Sequence, residues 1–467
     1  MEARLGAFMR PIIFCAALAA ASAVIATSAN VAATPVSVPE FSCNVTKPDT
    51  AITPALLTSG LPCKAQIIAP FTLDNIQHGF DYYSWLTFLS LNAPEDRKTP
   101  IGKGSGPGGD APTVWQGWKD IDSIMRPDGS TPTAWGAATP VPAVCKALFE
   151  PGMQVVSMVG KTPNVLSAIS EPFKTGPLID QNGNYTRYDI LVNHTMFDHI
   201  VTNDLYSKAG QKKFIGEINF PVGSLDATSP AVNNAQGGVI GSMMIKLAWK
   251  VMGPQDSPAR FHTMSALVYT KPVAGTSTTV KESCHRATLG LVGLHIAHKI
   301  QGDPQWIWSS FEHIDNAPSQ ADLDAGHLNA HYNYFDPKCK SCQVNQPPPR
   351  PWDPNIQPFP GGYKSQITRV IPLTSATIAL TSSFHAILKG TVWENYTLVS
   401  TQWPTNAKSP TDPTGDPAPT FLANTTAETY IQGRVPQSSS NCIACHNNAA
   451  TTTGKFSDFT YILENAH

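Results

Sequence analysis

Hydrophobic positions recur with a helical period in the first half of the chain. Segment 81–91 places Trp85, Phe88 and Leu89 on one side, with Tyr82 one turn earlier. A repeat near 3.6 residues is typical of an amphipathic helix. The same spacing predicts two further helices, so the predicted helical segments are 81–91, 113–125 and 195–213.

The second half of the chain alternates apolar and polar positions instead. Segments 288–299 and 305–314 flank the polar turn Gln301–Pro304, which predicts a hairpin. Alternation with a period of two predicts further strands at 242–251, 260–269, 366–371 and 392–402. We therefore expect an α+β fold, with helices mainly in the N-terminal half and a mainly antiparallel sheet in the C-terminal half.

Two proline-rich stretches interrupt this pattern. Residues 344–363 and 404–419 are expected to be extended loops, the second leading to a C-terminal segment at 436–467. Residues 30–435 then form the body, and a break near 225–240 would divide it into two subdomains. A short helix at the end of the chain, carrying Phe459 and Ile462, would pack on that body.

Charge excludes one large class of function. Lys and Arg total 32 against 34 Asp and Glu, and no basic run occurs. Nothing in this balance indicates binding to nucleic acid. Charged residues make up only 14% of the chain, against about a quarter in an average soluble protein, which is consistent with export.

The N-terminus has the layout of a secretory signal peptide. Arg4 and Arg10 precede an apolar run of about 16 residues, and small residues follow, with Ala29 or Ala33 as cleavage positions. The run is shorter than the roughly 20 residues of a spanning helix. We expect residues 1–29 to be removed, no membrane span in the mature chain, and a periplasmic or extracellular bacterial protein.

The strongest motif lies near the C-terminus. Cys442-Ile-Ala-Cys445-His446 is a C-x-x-C-H sequence, the attachment signature of a c-type haem. Two thiols at this spacing add to the haem vinyl groups, and the adjacent imidazole becomes the iron ligand. The motif predicts one covalently bound haem c, held by Cys442, Cys445 and His446, with His446 on the metal.

The cysteines also allow other interpretations, namely a zinc site and disulfides. Cys339-Lys-Ser-Cys342 is a second C-x-x-C, and two such pairs can bind zinc, although about 100 residues separate them. Cys442 and Cys445 could also form a simple disulfide. Cys15 lies in the predicted signal peptide, and spacing cannot choose a pairing for the six other cysteines outside the haem motif, namely Cys43, Cys63, Cys145, Cys284, Cys339 and Cys342. A local Cys43–Cys63 bridge is one possibility, and Cys339 and Cys342 are expected in disulfides, with each other or elsewhere.

The haem segment cannot be a complete small cytochrome. Only 21 residues follow His446, and the last methionine is Met264. The body must therefore cover the haem and supply any sixth ligand. The candidate histidines are His295, His298 and His313, and others are possible; on a strand, His295 and His298 face opposite ways.

Six blocks of sequence resemble a group of large secreted bacterial proteins called cytochrome c family proteins. The blocks are 85–92, 289–299, 306–318, 395–404, 422–432 and 456–463. The resemblance implies a shared fold and a single haem motif, and it implies no substrate.

These observations predict an exported monohaem c-type cytochrome that passes single electrons to an unidentified redox partner protein. One alternative is a haem enzyme of the peroxidase or oxygenase type with an open distal position. Its apolar pocket would involve Trp306, Trp308 and Phe311, although core packing is the favoured explanation for these residues. The other is an electron-accepting subunit of a periplasmic dehydrogenase. No other catalytic motif is present in the sequence.

Overall fold

We describe the protein from a computed structural model. The residues it describes are 52–57, 76–95, 101–102, 112–159, 177–224, 239–272, 281–300, 303–348, 363, 365–405, 417–433 and 440–467. The chain divides into two units, 1–36 and 37–467, and every described residue belongs to the second. The predicted signal peptide and the Cys43–Cys63 bridge therefore lie outside the described residues.

The helices of the described residues are mostly short. In chain order they are α1 (Ile76–Asn92), α2 (Ile121–Ile124), α3 (His194–Thr202), α4 (Lys208–Lys213), α5 (Gln320–Ala325), α6 (Ser375–Leu388) and α7 (Cys442–His446). Short 3₁₀ helices occur at Pro54–Leu57, Val114–Gly117, Ala143–Leu148, Pro258–Arg260, Val392–Asn395 and Tyr461–Asn465. None of the helices in these residues is both long enough and apolar enough to span a membrane.

Most of the strands belong to one large sheet. They are β1 (Lys119–Asp120), β2 (Gln154–Val156), β3 (Arg187–Val192), β4 (Gly223–Ser224), β5 (Val239–Ile240), β6 (Met243–Val251), β7 (Thr263–Thr270), β8 (Ser283–Ile300), β9 (Asp303–His313), β10 (Tyr396–Pro404) and β11 (Pro417–Ala418). The order in the sheet is β1-β3-β6-β8-β9-β10-β11. β7 pairs with the first half of β8 and, in parallel, with β2, while β4 and β5 form a separate ribbon.

The α+β prediction is confirmed. The sheet is mainly antiparallel and lies mostly in the C-terminal half, with helices mainly in the N-terminal part. The hairpin is β8–β9, and the predicted helix at 81–91 is the central part of α1. β3 and β6, which flank the proposed break at 225–240, pair directly within the sheet.

Three local predictions were wrong. Segment 113–125 divides into a 3₁₀ turn, β1 and α2, and Asp120 caps α2 by accepting a hydrogen bond from the Ser123 amide. Segment 195–213 breaks between α3 and α4, where Asp204 has a φ of +53°. No strand forms at 366–371, where only an isolated bridge joins Arg369 to Ser319.

The two faces of the sheet are covered by different parts of the chain. Alternate residues of β9 point to opposite sides. On the first side, Ser309 accepts or donates a 2.6 Å hydrogen bond with Ser84 of α1, and Phe311 packs edge-on against Trp85 at 5.1 Å. On the second, Trp306 donates to the carbonyl of Asp458 at 2.8 Å. We call these sides the helical face and the tail face.

Candidate functional site

The C-x-x-C-H sequence forms a single helical turn. α7 runs from Cys442 to His446, and Asn441 caps it by accepting a 2.8 Å hydrogen bond from the Ala444 amide. Residues three apart on a helix lie on one side of it, so the two cysteines share a side of the turn. Cys442, Cys445 and His446 are all half-buried.

α7 is attached to the edge of the sheet through its backbone. The Ile443 amide donates to Oε1 of Gln402 on β10 at 3.0 Å, and the Asn441 side chain donates to the Thr420 carbonyl at 2.8 Å. Ile443 itself is buried in the main hydrophobic cluster. Tyr461 donates its hydroxyl proton to the Cys445 carbonyl at 2.9 Å, which ties the last turn of α7 to the C-terminal 3₁₀ helix.

The imidazole of His446 has a defined tautomer. Its Nδ1 lies 2.7 Å from the carbonyl oxygen of Phe459. A carbonyl oxygen only accepts, so Nδ1 carries the proton and the lone pair of the neutral ring lies on Nε2. Metal-binding histidines are usually oriented in this way by a second hydrogen bond.

Two aromatic side chains enclose the His446 ring. The ring centre of Trp308 lies 4.4 Å from that of His446, and that of Tyr461 lies 5.2 Å away in an edge-on arrangement. The indole Nε1 of Trp308 is buried and has no hydrogen-bond partner among the described residues. It is a donor available to a polar group bound beside His446.

These residues fit a covalently attached haem. The helical turn supplies two thiols on one side, and the adjacent imidazole offers Nε2 to a metal. The unsatisfied indole of Trp308 would suit an acceptor on the bound group, because a buried donor without a partner is costly. Within the described part of the chain, no group of three or more His, Cys, Asp or Glu side chains is placed to hold a metal ion by itself.

The cysteines outside the motif form two disulfides in the described residues, Cys145–Cys284 and Cys339–Cys342. The second confirms one of the pairings expected for this C-x-x-C. It also removes the thiolates that a four-cysteine zinc site would need, so that alternative is not supported.

The sheet separates the three candidate distal histidines. His298 lies opposite Ile307 and therefore on the helical face, where its Nδ1 makes a 2.5 Å hydrogen bond with Tyr83. Burial lowers the pKa of His298 to about 3. His295 lies opposite Ser310 and therefore on the tail face, the same side as His446. The prediction that these two histidines face opposite ways is confirmed.

His313 is also on the helical face, and both of its ring nitrogens make hydrogen bonds. Its Nε2 bonds the Arg260 carbonyl at 2.9 Å, its Nδ1 accepts from the Asp315 amide at 3.1 Å, and its ring stacks on Phe261 at 4.1 Å. Burial lowers the pKa of His313 to about 4. Of the three candidates, His295 alone shares the face of His446, and its Nε2 lies 3.4 Å from Oε2 of Glu428.

The proposed apolar pocket does not form as one cluster. Trp306 and Trp308 lie on the tail face, whereas Phe311 packs on the helical face against Trp85 and Phe88. Residues two apart on a strand share a face, but Phe311 is an odd number of positions from the two tryptophans.

Several residues of the site carried no signal in the sequence. Gln402 and the Phe459 carbonyl reach α7 only through the tertiary fold. Asn441 could have been recognised, because an Asn immediately before a helical turn is a favoured N-cap. The predicted amphipathic helix at the C-terminus is only the 3₁₀ turn Tyr461–Asn465, and Phe456 is exposed.

No family model, curated protein or solved structure matches this chain.

Proposed function

We propose that this protein is an exported monohaem c-type cytochrome that transfers single electrons; its resemblance to cytochrome c family proteins implies the single haem motif. The observation that carries the proposal is the C-x-x-C-H turn itself, with its imidazole held in the tautomer that leaves Nε2 for a metal. When bound, the haem supplies a one-electron iron couple.

The protein residues have distinct roles in this proposal. Cys442 and Cys445 would hold the haem through thioether bonds, and His446 would bind its iron. Trp308 and Tyr461 fix the plane of the imidazole by packing, and the Phe459 carbonyl increases its basicity through the Nδ1 proton. The redox partner is a separate protein, and the site of action is the periplasm or the cell exterior.

Covalent haem attachment tests the proposal directly. The protein is produced with its own signal sequence in a bacterium that matures c-type cytochromes. We expect haem that survives denaturing electrophoresis in the wild type. The Cys442→Ala, Cys445→Ala variant should carry none. The matched control replaces the other C-x-x-C, as Cys339→Ala, Cys342→Ala, and should keep its haem. Covalent haem in the first variant, or none in the wild type, would refute the proposal.

Carbon monoxide then separates an electron carrier from an enzyme. A reduced spectrum that carbon monoxide does not change indicates two strong axial ligands, as expected for a carrier. A spectrum that shifts indicates an open position, and the peroxidase or oxygenase alternative would then replace electron transfer. His295→Ala, with His298→Ala as the control on the opposite face, tests whether His295 is the sixth ligand.

A further inference from the structure

The carbonyl that holds His446 lies on an unfavourable stretch of backbone. Asp458 and Phe459 are consecutive non-glycine residues with φ values of +50° and +61°. The left-handed region is unfavourable for a residue with a side chain, and more so for Phe than for Asp. Two such residues in succession need contacts that hold them in place. The turn they form directs the Phe459 carbonyl at Nδ1 of His446.

Asp458 supplies those contacts. Its Oδ2 lies 2.6 Å from Nζ of Lys299 and accepts from the Phe220 amide at 2.7 Å. Its carbonyl oxygen accepts from the indole of Trp306 at 2.8 Å. Both side chains of the Lys299–Asp458 pair are completely buried, and Lys299 also donates to Oδ1 of Asn219 at 2.6 Å.

The pair connects the tail to the main sheet. Lys299 lies on β8 and Trp306 directly opposite it on β9. Replacing a buried ion pair with apolar residues of similar volume is often neutral for stability, so stability alone does not account for this one. The pair holds the Asp458–Phe459 turn, and with it the Phe459 carbonyl, in one position relative to the sheet.

We propose that Lys299 and Asp458 are positioning residues for His446, holding the Phe459 carbonyl where it keeps the imidazole in the Nδ1–H tautomer with Nε2 directed at the haem iron. The inference rests on the proposed function for the identity of the metal. The orientation of His446 is a property of the protein alone and can be measured without haem.

The test removes both charges together, because one buried charge left alone would destabilise the fold. The variant is Lys299→Met, Asp458→Asn. A matched control exists in Lys250 and Asp256, whose ammonium and carboxylate lie 2.6 Å apart and are equally buried. The control variant is Lys250→Met, Asp256→Asn. Thr460 of the tail donates to the sulfur of Met244 on β6, and Lys250 lies six residues farther along this strand, about 20 Å at the rise of a strand.

Two readouts follow His446. In the holoprotein, loss of the hydrogen bond at Nδ1 should make the imidazole donate less electron density to the iron. The reduction potential of the haem should then shift to more positive values. In the haem-free Cys442→Ala, Cys445→Ala protein, ¹⁵N NMR should show the Nδ1–H tautomer of His446 in the parent and a mixture of tautomers once the pair is replaced. The control variant should change neither quantity.

A folded Lys299→Met, Asp458→Asn protein with unchanged potential and tautomer would overturn the inference. If that variant does not fold, Trp306→Phe is the deciding variant, because it removes the indole donor to the carbonyl oxygen and to Oδ1 of Asp458. A mixture of His446 tautomers then supports the positioning role, and an unchanged tautomer refutes it. If the wild type binds no haem, the proposed function is wrong. The inference about Lys299 and Asp458 is then tested by the tautomer of His446 alone.

Discussion

Buried His298 should make the stability of the fold depend strongly on pH. Burial lowers its pKa from 6.5 to about 3. The unfolded chain therefore binds a proton near pH 6.5 that the folded protein accepts only near pH 3. Between these values the unfolded state holds more protons, so stability falls as the pH falls. A pKa difference of about 3.5 corresponds to about 5 kcal/mol over the whole interval.

The perturbation that isolates this effect is His298→Asn. The amide oxygen of Asn can occupy the place of Nδ1 and accept from the Tyr83 hydroxyl, while the titration is removed. Urea unfolding at pH 7 and pH 4.5 gives the free energies of unfolding of wild type and variant. At pH 4.5, His298 is protonated in the unfolded wild type but not in the folded protein. Between pH 7 and pH 4.5 the free energy of unfolding of the wild type therefore falls by about 3 kcal/mol through this group, and that of the variant does not.

The measured quantity is the difference in stability between wild type and variant at each pH, which cancels the carboxylates common to both. At pH 7 the variant should be the less stable of the two, because its smaller side chain leaves unfilled space. This deficit should shrink by about 3 kcal/mol at pH 4.5. His327→Asn, at an exposed position, is the control and should show a constant difference. A difference for His298→Asn that stays constant within about 0.5 kcal/mol would refute the argument.

Two further predictions concern stability. The cysteines of the Cys145–Cys284 disulfide are 139 residues apart, and those of Cys339–Cys342 are three residues apart. Replacing the first pair with serines should lower the free energy of unfolding by about 3 kcal/mol more than replacing the second, because the entropy that a disulfide removes from the unfolded chain grows with loop length. Urea unfolding of the two variants checks this, and equal losses would contradict it. Trp85→Ala should cost about 3–5 kcal/mol, because the indole is fully buried between Phe311 and Phe384. The same substitution at Phe456, which is 66% exposed, should cost less than about 0.5 kcal/mol, and a similar loss at both positions would be evidence against this packing.

Segments with a clear period and a local boundary were predicted correctly. The hairpin β8–β9 has alternating residues on both sides of a polar turn, and α1 carries large apolar residues at helical spacing. The failures lie where tertiary contacts override a local pattern. The sequence pattern of segment 195–213 predicts one helix. The chain turns at Asp204 instead, because Leu205 and Tyr206 pack in the core beside α3.

The chemistry of the site was local in the same sense. Two thiols and an imidazole within five residues define the haem motif without reference to the rest of the chain. Strand alternation likewise requires His295 and His298 to face opposite ways once a strand is assumed. Which of them shares a face with His446 depends on where residues 440–467 pack, and no local pattern contains that information.

By itself, the sequence determined the α+β class, the hairpin and the C-x-x-C-H motif, because each depends on neighbours within a few positions. Only the tertiary structure decided that the Phe459 carbonyl bonds His446, that Trp308 packs on its ring and that Lys299 bonds Asp458. These contacts join residues 13 to 159 positions apart, and their geometry follows from the packing of the whole sheet against the tail.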